Sequence, residues 1–135
     1  MKRLQTRFLQ PQGWAQPKGY TNGIEASGRL VFVAGQIGWD AQQRFQSKDF
    51  SGQAAQALRN TVAILAEAHA EPQHIVRMTW YILDKRVYLN SLSALGRTYR
   101  EIIGLHFPAM TMVQVSALIE DEALLEIETT AVVPN

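Results

Sequence analysis

The sequence predicts an α+β domain of order ββαβαββ, folded as two layers with one mixed sheet and two helices on a single face of it. Three observations carry this reading. Apolar runs of strand length recur at 30–37, 75–83 and 124–133, and two segments, 51–70 and 87–103, show helical spacing. The right-handed sense of crossover connections then sends both helices to the same side. At 135 residues the chain reads as one domain, 1–135, large enough to bury a core without staples.

Residues 2–9 are predicted as a first strand, ended by the breakers Pro11, Gly13, Pro17 and Gly19. Residues 11–23 read as a loop holding Trp14 and Tyr20. The run 30–37 is a strand with apolar side chains on both faces, and the polar stretch 38–48 is a surface loop. In 51–70, Ala54, Leu58, Val62, Leu65 and His69 recur at the helical period and mark a buried stripe. Asp49 or Ser51 can cap this helix, and Glu71-Pro72 stops it. The run 75–83 is a third strand, apolar on both faces, with Arg77 and Thr79 sharing one of them. A second helix over 87–103 carries Leu92, Leu95, Tyr99 and Ile102 as its stripe, with Gly104 as its stop. Residues 107–115 and 124–133 close the chain as two more strands. Helices confined to one side leave the other sheet face uncovered although the central strands are apolar there too, so another copy of the chain is expected to cover it.

Composition excludes several classes. The 47% hydrophobic and 19% charged content is that of an ordinary folded soluble protein. With no cysteine there are no disulfides, thiolate metal sites or thiol nucleophiles; a reducing compartment fits, and a cytoplasmic location is expected. The apolar runs are too short for a membrane span, and no apolar signal core follows Met1-Lys2-Arg3. The net charge of +1 comes from scattered basic residues, so no nucleic-acid partner is expected.

The last strand carries the clearest chemical signal. Glu126 and Glu128 stand two apart in an otherwise apolar run, so they share a face that Leu125, Ile127 and Thr129 do not. Acids placed in a core strand point to a paired charge, a wet cleft or chemistry; a strand with one solvated face explains them equally well. His69, His74 and His106 form no pair at ligand spacing, so no metal site is expected. No serine lies in a Gly-x-Ser-x-Gly turn. Gly35-Gln36-Ile37-Gly38, at a strand end, marks close backbone packing rather than a phosphate loop. The loop aromatics Trp14, Tyr20, Trp39 and Phe45 lack a basic groove and read as anchors. Tyr20, Gln36, Met110 and Glu126 remain, with Met110 opening the strand expected to pair near Glu126. They converge only if the fold brings strand ends and the first loop together.

Lys18-Gly19-Tyr20, Val33-Ala34-Gly35-Gln36-Ile37, Phe107-Pro108-Ala109 and Leu125-Glu126-Ile127-Glu128 follow one another along nearly the whole chain. In that order they resemble the Rid family, the reactive intermediate deaminases, also called the YjgF family. The resemblance implies a chorismate-mutase-like fold, a homotrimer with a central barrel, and small-molecule clefts between subunits. It also implies hydrolysis of reactive enamines and imines to keto acids and ammonia, without metal or organic cofactor. It assigns Glu126 to positioning the attacking water, and Tyr20, Gly35, Gln36, Met110 and Met112 to the substrate-binding wall. Four positions depart from the pattern. Ala34 stands where a serine is common, Met112 where a cysteine or threonine is usual, and Gly96, three before Tyr99, where an asparagine is expected. Met110 stands where active deaminases hold the arginine that grips the substrate carboxylate, and a thioether cannot imitate that bidentate clamp.

Two functional readings follow, and a third is weaker. The first is an imine hydrolase with an altered substrate, in which Glu126 orients water and Met110 and Met112 face a less charged ligand. The second is a non-catalytic binding or regulatory trimer using the same cleft. The third, RNA cleavage, has the near-neutral charge and the lack of a histidine pair against it. Arg77, Arg97 and Arg100 are the candidates for a replacement guanidinium, and spacing alone does not show which of them reaches the cleft.

Overall fold

A computed structural model describes residues 6–135, and strand pairing accounts for most of the architecture. The elements in order are β1 (Thr6–Leu9), β2 (Gly23–Ala26), β3 (Arg29–Gln36), α1 (Phe50–Glu67), β4 (Ile75–Ile82), α2 (Lys85–Asn90), α3 (Leu92–Ile102), β5 (Ala109–Gln114) and β6 (Leu125–Val133). β3, β6, β4 and β5 form a mixed sheet in that spatial order. β6 runs antiparallel to both its neighbours, whereas β4 and β5 are parallel. The long connection that a parallel pair requires is supplied by α2 and α3.

β1 and β2 pair antiparallel as a ribbon of their own. Two expectations are corrected here. Over its described residues the first strand pairs with β2 and not with the sheet, and Gly23–Ala26, read as loop end and unassigned chain, is a strand because β1 gives it a partner. Residues 2–5 of the expected first strand lie outside the described residues. Thr21 fastens the ribbon to the sheet edge: it bridges Ala109 and its N–H donates to the Pro108 carbonyl at 3.1 Å.

The core lies between the sheet and the helices. Met78, Trp80 and Ile82 of β4 and Leu125 and Ile127 of β6 meet Ala54, Leu58 and Leu65 of α1 and Leu95 and Tyr99 of α3. Asp49 caps α1 by accepting from the Gly52 N–H at 2.6 Å. His69 is not on the buried stripe: α1 ends at Glu67, and His69 follows it, exposed, with φ +56°. That left-handed turn lets the Ala70 N–H return to the Leu65 carbonyl at 3.0 Å and close the helix end. The expected second helix is two helices. Asp84 starts α2 early by accepting from the Arg86 and Val87 N–H groups, and Ser91 divides α2 from α3 as its hydroxyl donates to the Val87 carbonyl at 2.7 Å. Gly104, at φ +98°, is the left-handed stop after α3.

Among the described residues, no helix covers the opposite sheet face. Leu30 and Phe32 of β3 are 62% and 72% exposed on it. The two central strands present Arg77, Thr79 and Tyr81 from β4 and Glu126, Glu128 and Thr130 from β6. The expectation of an apolar second face on the central strands is therefore corrected. The apolar part runs along β3, and the middle of the face is polar. None of the described helices is long and apolar enough to cross a membrane.

Candidate functional site

The residues singled out from sequence fall into two groups, one on each side of the sheet. On the helix side, α3 and the β4–β5 edge enclose a cavity of about 270 Å³. Its walls are chiefly apolar and aromatic: Trp80, Leu92, Leu95, Phe107, Met110 and Met112. Gly19 contributes backbone, since Thr21 ties that loop to β5; Tyr20 beside it is 42% exposed and makes no hydrogen bond among the described residues.

The back of this cavity is held rigidly. The Tyr99 ring stacks on Phe107 with centroids 5.6 Å apart, and its hydroxyl donates to the His106 carbonyl at 2.7 Å. The His106 ring in turn lies 2.7 Å from the Ile75 carbonyl through Nε2. Burial pushes the Tyr99 phenol well above the ordinary tyrosine range, so it stays neutral and donating. Trp80 is 2% exposed, and its indole N–H has no acceptor among the described residues.

On the open side, the pairing of β3 with β6 slips between Val33 and Gln36, so Ala34 and Gly35 share the space opposite Glu128 in a β-bulge. The Glu126 side chain occupies the room that Gly35 leaves: a β-carbon there would stand 2.7 Å from Cδ and 3.0 Å from Oε2. The half-buried Glu126 carboxylate makes no hydrogen bond or ion pair among the described residues. Glu128 accepts from the Tyr81 hydroxyl at 2.7 Å, and that bond raises the Tyr81 pKa above its usual value. The Gln36 amide turns back to the Ala34 carbonyl at 3.0 Å.

Gly35 and Glu126 thus meet on the open face, and Met110, Met112 and Gly19 lie at the cavity on the other, whereas Gln36 pairs with the buried Ile127 and does not join Glu126. The expected pairing of Met110's strand near Glu126 is corrected. β5 pairs with β4, where Met110 stands beside Met78, and β4 separates it from β6. The parallel crossover carries β5 to the sheet edge, which local spacing does not reveal. Sequence reasoning did not place Trp80 or Gly96 in the cavity wall, and it left Arg100 among three candidates; all three residues line the cavity. The helical spacing of Gly96 and Arg100, four apart, was the available signal. Among the described residues, no three His, Cys, Asp or Glu side chains come together as a metal site would require.

Comparison with known proteins shows the family and the fold. A family profile described as Endoribonuclease L-PSP matches residues 14–133. A 2-iminobutanoate/2-iminopropanoate deaminase of Salmonella typhimurium is 34% identical over 116 residues, covering 84% of this chain and 86% of that protein. A RutC family protein of Pyrococcus abyssi is 34% identical over 113 residues, covering 83% and 84% of the two chains. Among solved structures, YyfB of Yersinia pestis, a conserved Rid family protein of unknown function, superposes with a TM-score of 0.84 at 29% identity, covering 96% of this chain and 100% of its own. Escherichia coli TdcF with bound serine superposes with a TM-score of 0.65 at 30% identity, covering 93% and 98%.

Proposed function

The chain belongs to the Rid family of reactive intermediate deaminases, also called YjgF or endoribonuclease L-PSP, and on that premise we propose that it is a homotrimeric imine hydrolase acting in clefts between subunits. One observation carries the reading. Glu126 with Gly35, and the cavity with Met110 and Met112, lie on opposite faces of one sheet. A single chain cannot direct both at one ligand. A second copy whose open face meets the first copy's cavity edge makes one cleft from two halves, and it also covers the exposed Leu30 and Phe32.

In that cleft Glu126 is the proton carrier. Its carboxylate takes a proton from water as the water oxygen bonds to the imine carbon, and it passes the proton to the nitrogen. Glu126 then takes the hydroxyl proton of the resulting carbinolamine and delivers it to the nitrogen, so that the carbon–nitrogen bond breaks with release of ammonia as the oxygen forms the carbonyl. A half-buried carboxylate with no hydrogen-bond or ion-pair partner among the described residues suits this role, because no such bond must be broken before it acts. Glu128, held by Tyr81, is the structural member of the pair. Met110 and Met112 make the floor apolar and polarisable.

The test couples an amino-acid oxidase, which generates imines, to a chemical trap. Wild-type protein is expected to lower the yield of trapped imine and Glu126→Gln is not; a wild type without effect on any imine offered removes the hydrolase reading. The apolar Met110 and Met112 at the cavity favour one other reading, a binding trimer without turnover. Ligand binding that is indifferent to Glu126→Gln would identify it.

A further inference from the structure

We propose that Arg100, on α3, is the anion-binding residue of this cleft, and that the ligand it selects is a carboxylate carrying a bulky apolar substituent. The inference rests on the cleft reading above and adds the residue and the ligand class. Among the described residues, Arg100 is the one charged side chain that lines the cavity. Its guanidinium folds back along the helix: Nη1 and Nη2 lie 3.5 and 4.0 Å from the point where a β-carbon on Gly96 would stand. Nothing else in the described chain uses this cation, since Arg100 is exposed and makes no hydrogen bond or ion pair there. The other candidates are occupied or misplaced. Arg97 donates to the Ser93 hydroxyl at 2.9 Å, and Arg77 stands on the opposite face of the sheet.

The chemistry of the walls supplies the other half. A guanidinium presents a planar fork that matches a carboxylate with two parallel hydrogen bonds. The rest of the lining is apolar or aromatic apart from the tyrosine hydroxyls and the indole N–H of Trp80, which has no acceptor in the described chain. A cavity of about 270 Å³ has room for a branched or aromatic substituent, whose burial against Leu92, Leu95 and Met112 contributes affinity in proportion to its apolar area. Anion recognition has in effect moved from the strand position of Met110 to the helix, leaving the strand positions to the apolar part of the ligand.

Isothermal titration of the assembled protein with three probes decides the matter: 4-methylpentanoate, its neutral amide 4-methylpentanamide, and acetate. Wild type is expected to bind the carboxylate about ten-fold more tightly than the amide, and acetate at least about ten-fold more weakly than 4-methylpentanoate. In Arg100→Met the preference for carboxylate over amide should collapse to within about two-fold, and Arg100→Lys, which keeps the charge but not the fork, should fall between. Thermal melts confirm that these variants fold, as expected for an exposed side chain without hydrogen-bond or ion-pair partners among the described residues. A carboxylate preference that survives Arg100→Met, or equal binding of carboxylate and amide by wild type, refutes the role of Arg100 while leaving the cleft in place. Acetate binding as tightly as 4-methylpentanoate refutes the apolar selection. Failure of wild type to bind any of the three refutes the cleft reading and this inference together.

Discussion

Glu126 is packed against Gly35 so closely that its carboxyl carbon would stand 2.7 Å from any β-carbon placed there. The glycine in the β3 bulge and the acid of β6 therefore form one unit: the missing side chain of one is the resting place of the other. Gly35→Ala forces the Glu126 side chain to move. A flexible carboxylate can yield, so the fold should survive at a cost of about 1–2 kcal/mol, a drop of several degrees in melting temperature. Turnover should fall much more, by ten-fold or beyond, because the acid is displaced from its position. A variant with full activity would show that Glu126 does not work from this position.

Glu126 and Glu128 share a face roughly 6–7 Å apart along the strand, so one water or small ligand is held by one and not easily by both. Glu126→Gln should abolish turnover while leaving the assembly intact, since the amide keeps the shape but not the basicity. Glu128→Gln leaves the Tyr81 hydroxyl an acceptor and should change activity only modestly. Light scattering coupled to size exclusion should give about three times the 15.2 kDa chain mass for both variants. Identical kinetic effects of the two substitutions would remove the distinction between them.

Small imines should be poor substrates. A 2-imino acid with a methyl substituent leaves the floor around Met110 and Met112 unfilled, and no guanidinium projects from β5 to hold it. In the trapping assay 2-iminopropanoate is expected to be hydrolysed at least about ten-fold more slowly than an imine from leucine, on the scale of a few buried methylenes. Equal rates would place the substrate outside this cavity.

Tyr99 predicts an alkaline limit to stability. Burial raises its pKa in the folded chain, so the fold holds a phenol proton that the unfolded chain loses near the ordinary value of about 10. That stabilisation is fully present below about pH 10 and declines as pH rises toward the folded value. Urea melts at about pH 8 and about pH 11 should show wild type weakening markedly at the higher value. Tyr99→Phe should weaken less between the two, while losing about 1 kcal/mol at pH 8 with the bond to His106. A wild type equally stable at both values contradicts the burial argument.

Gly96 is a helix residue with room for a methyl group, since the nearest atom to a β-carbon there is Arg100 Nη1 at an ordinary 3.5 Å. Gly96→Ala should raise stability by about 1 kcal/mol through helix propensity alone. Destabilisation on calorimetry would mean that the guanidinium packs more tightly than these distances state.

The sequence pattern was most informative where periodicity and burial coincide. The stripe Ala54, Leu58, Leu65 foretold α1, and the apolar runs around Val33, Trp80 and Ile127 foretold three of the sheet strands. The failures have a common cause. Gly23–Ala26 is a strand only because β1 lies beside it, His69 left the helix for a left-handed closing turn, and Ser91 divided the helix expected to run unbroken over 87–103. Each depends on a partner distant in sequence or on one side-chain bond that spacing does not encode. Met110 and Glu126 looked like neighbours for the same reason: the order of strands in a sheet is a tertiary fact. The place of Arg100 in the cavity wall was hidden too: spacing makes Gly96 and Arg100 neighbours on a helix, but only the folded chain shows what that face meets.

The opposed placement of Glu126 and the Arg100 cavity has a genetic consequence. When a cleft takes its acid from one chain and its cation from the next, every chain serves two clefts by halves. Glu126→Gln and Arg100→Met chains, each impaired alone, should then rescue one another when unfolded and reassembled together. Random mixing in equal amounts gives about one cleft in four with both groups intact. Two defective alleles in one cell would accordingly complement, and dilution that separates the chains would silence even the wild type.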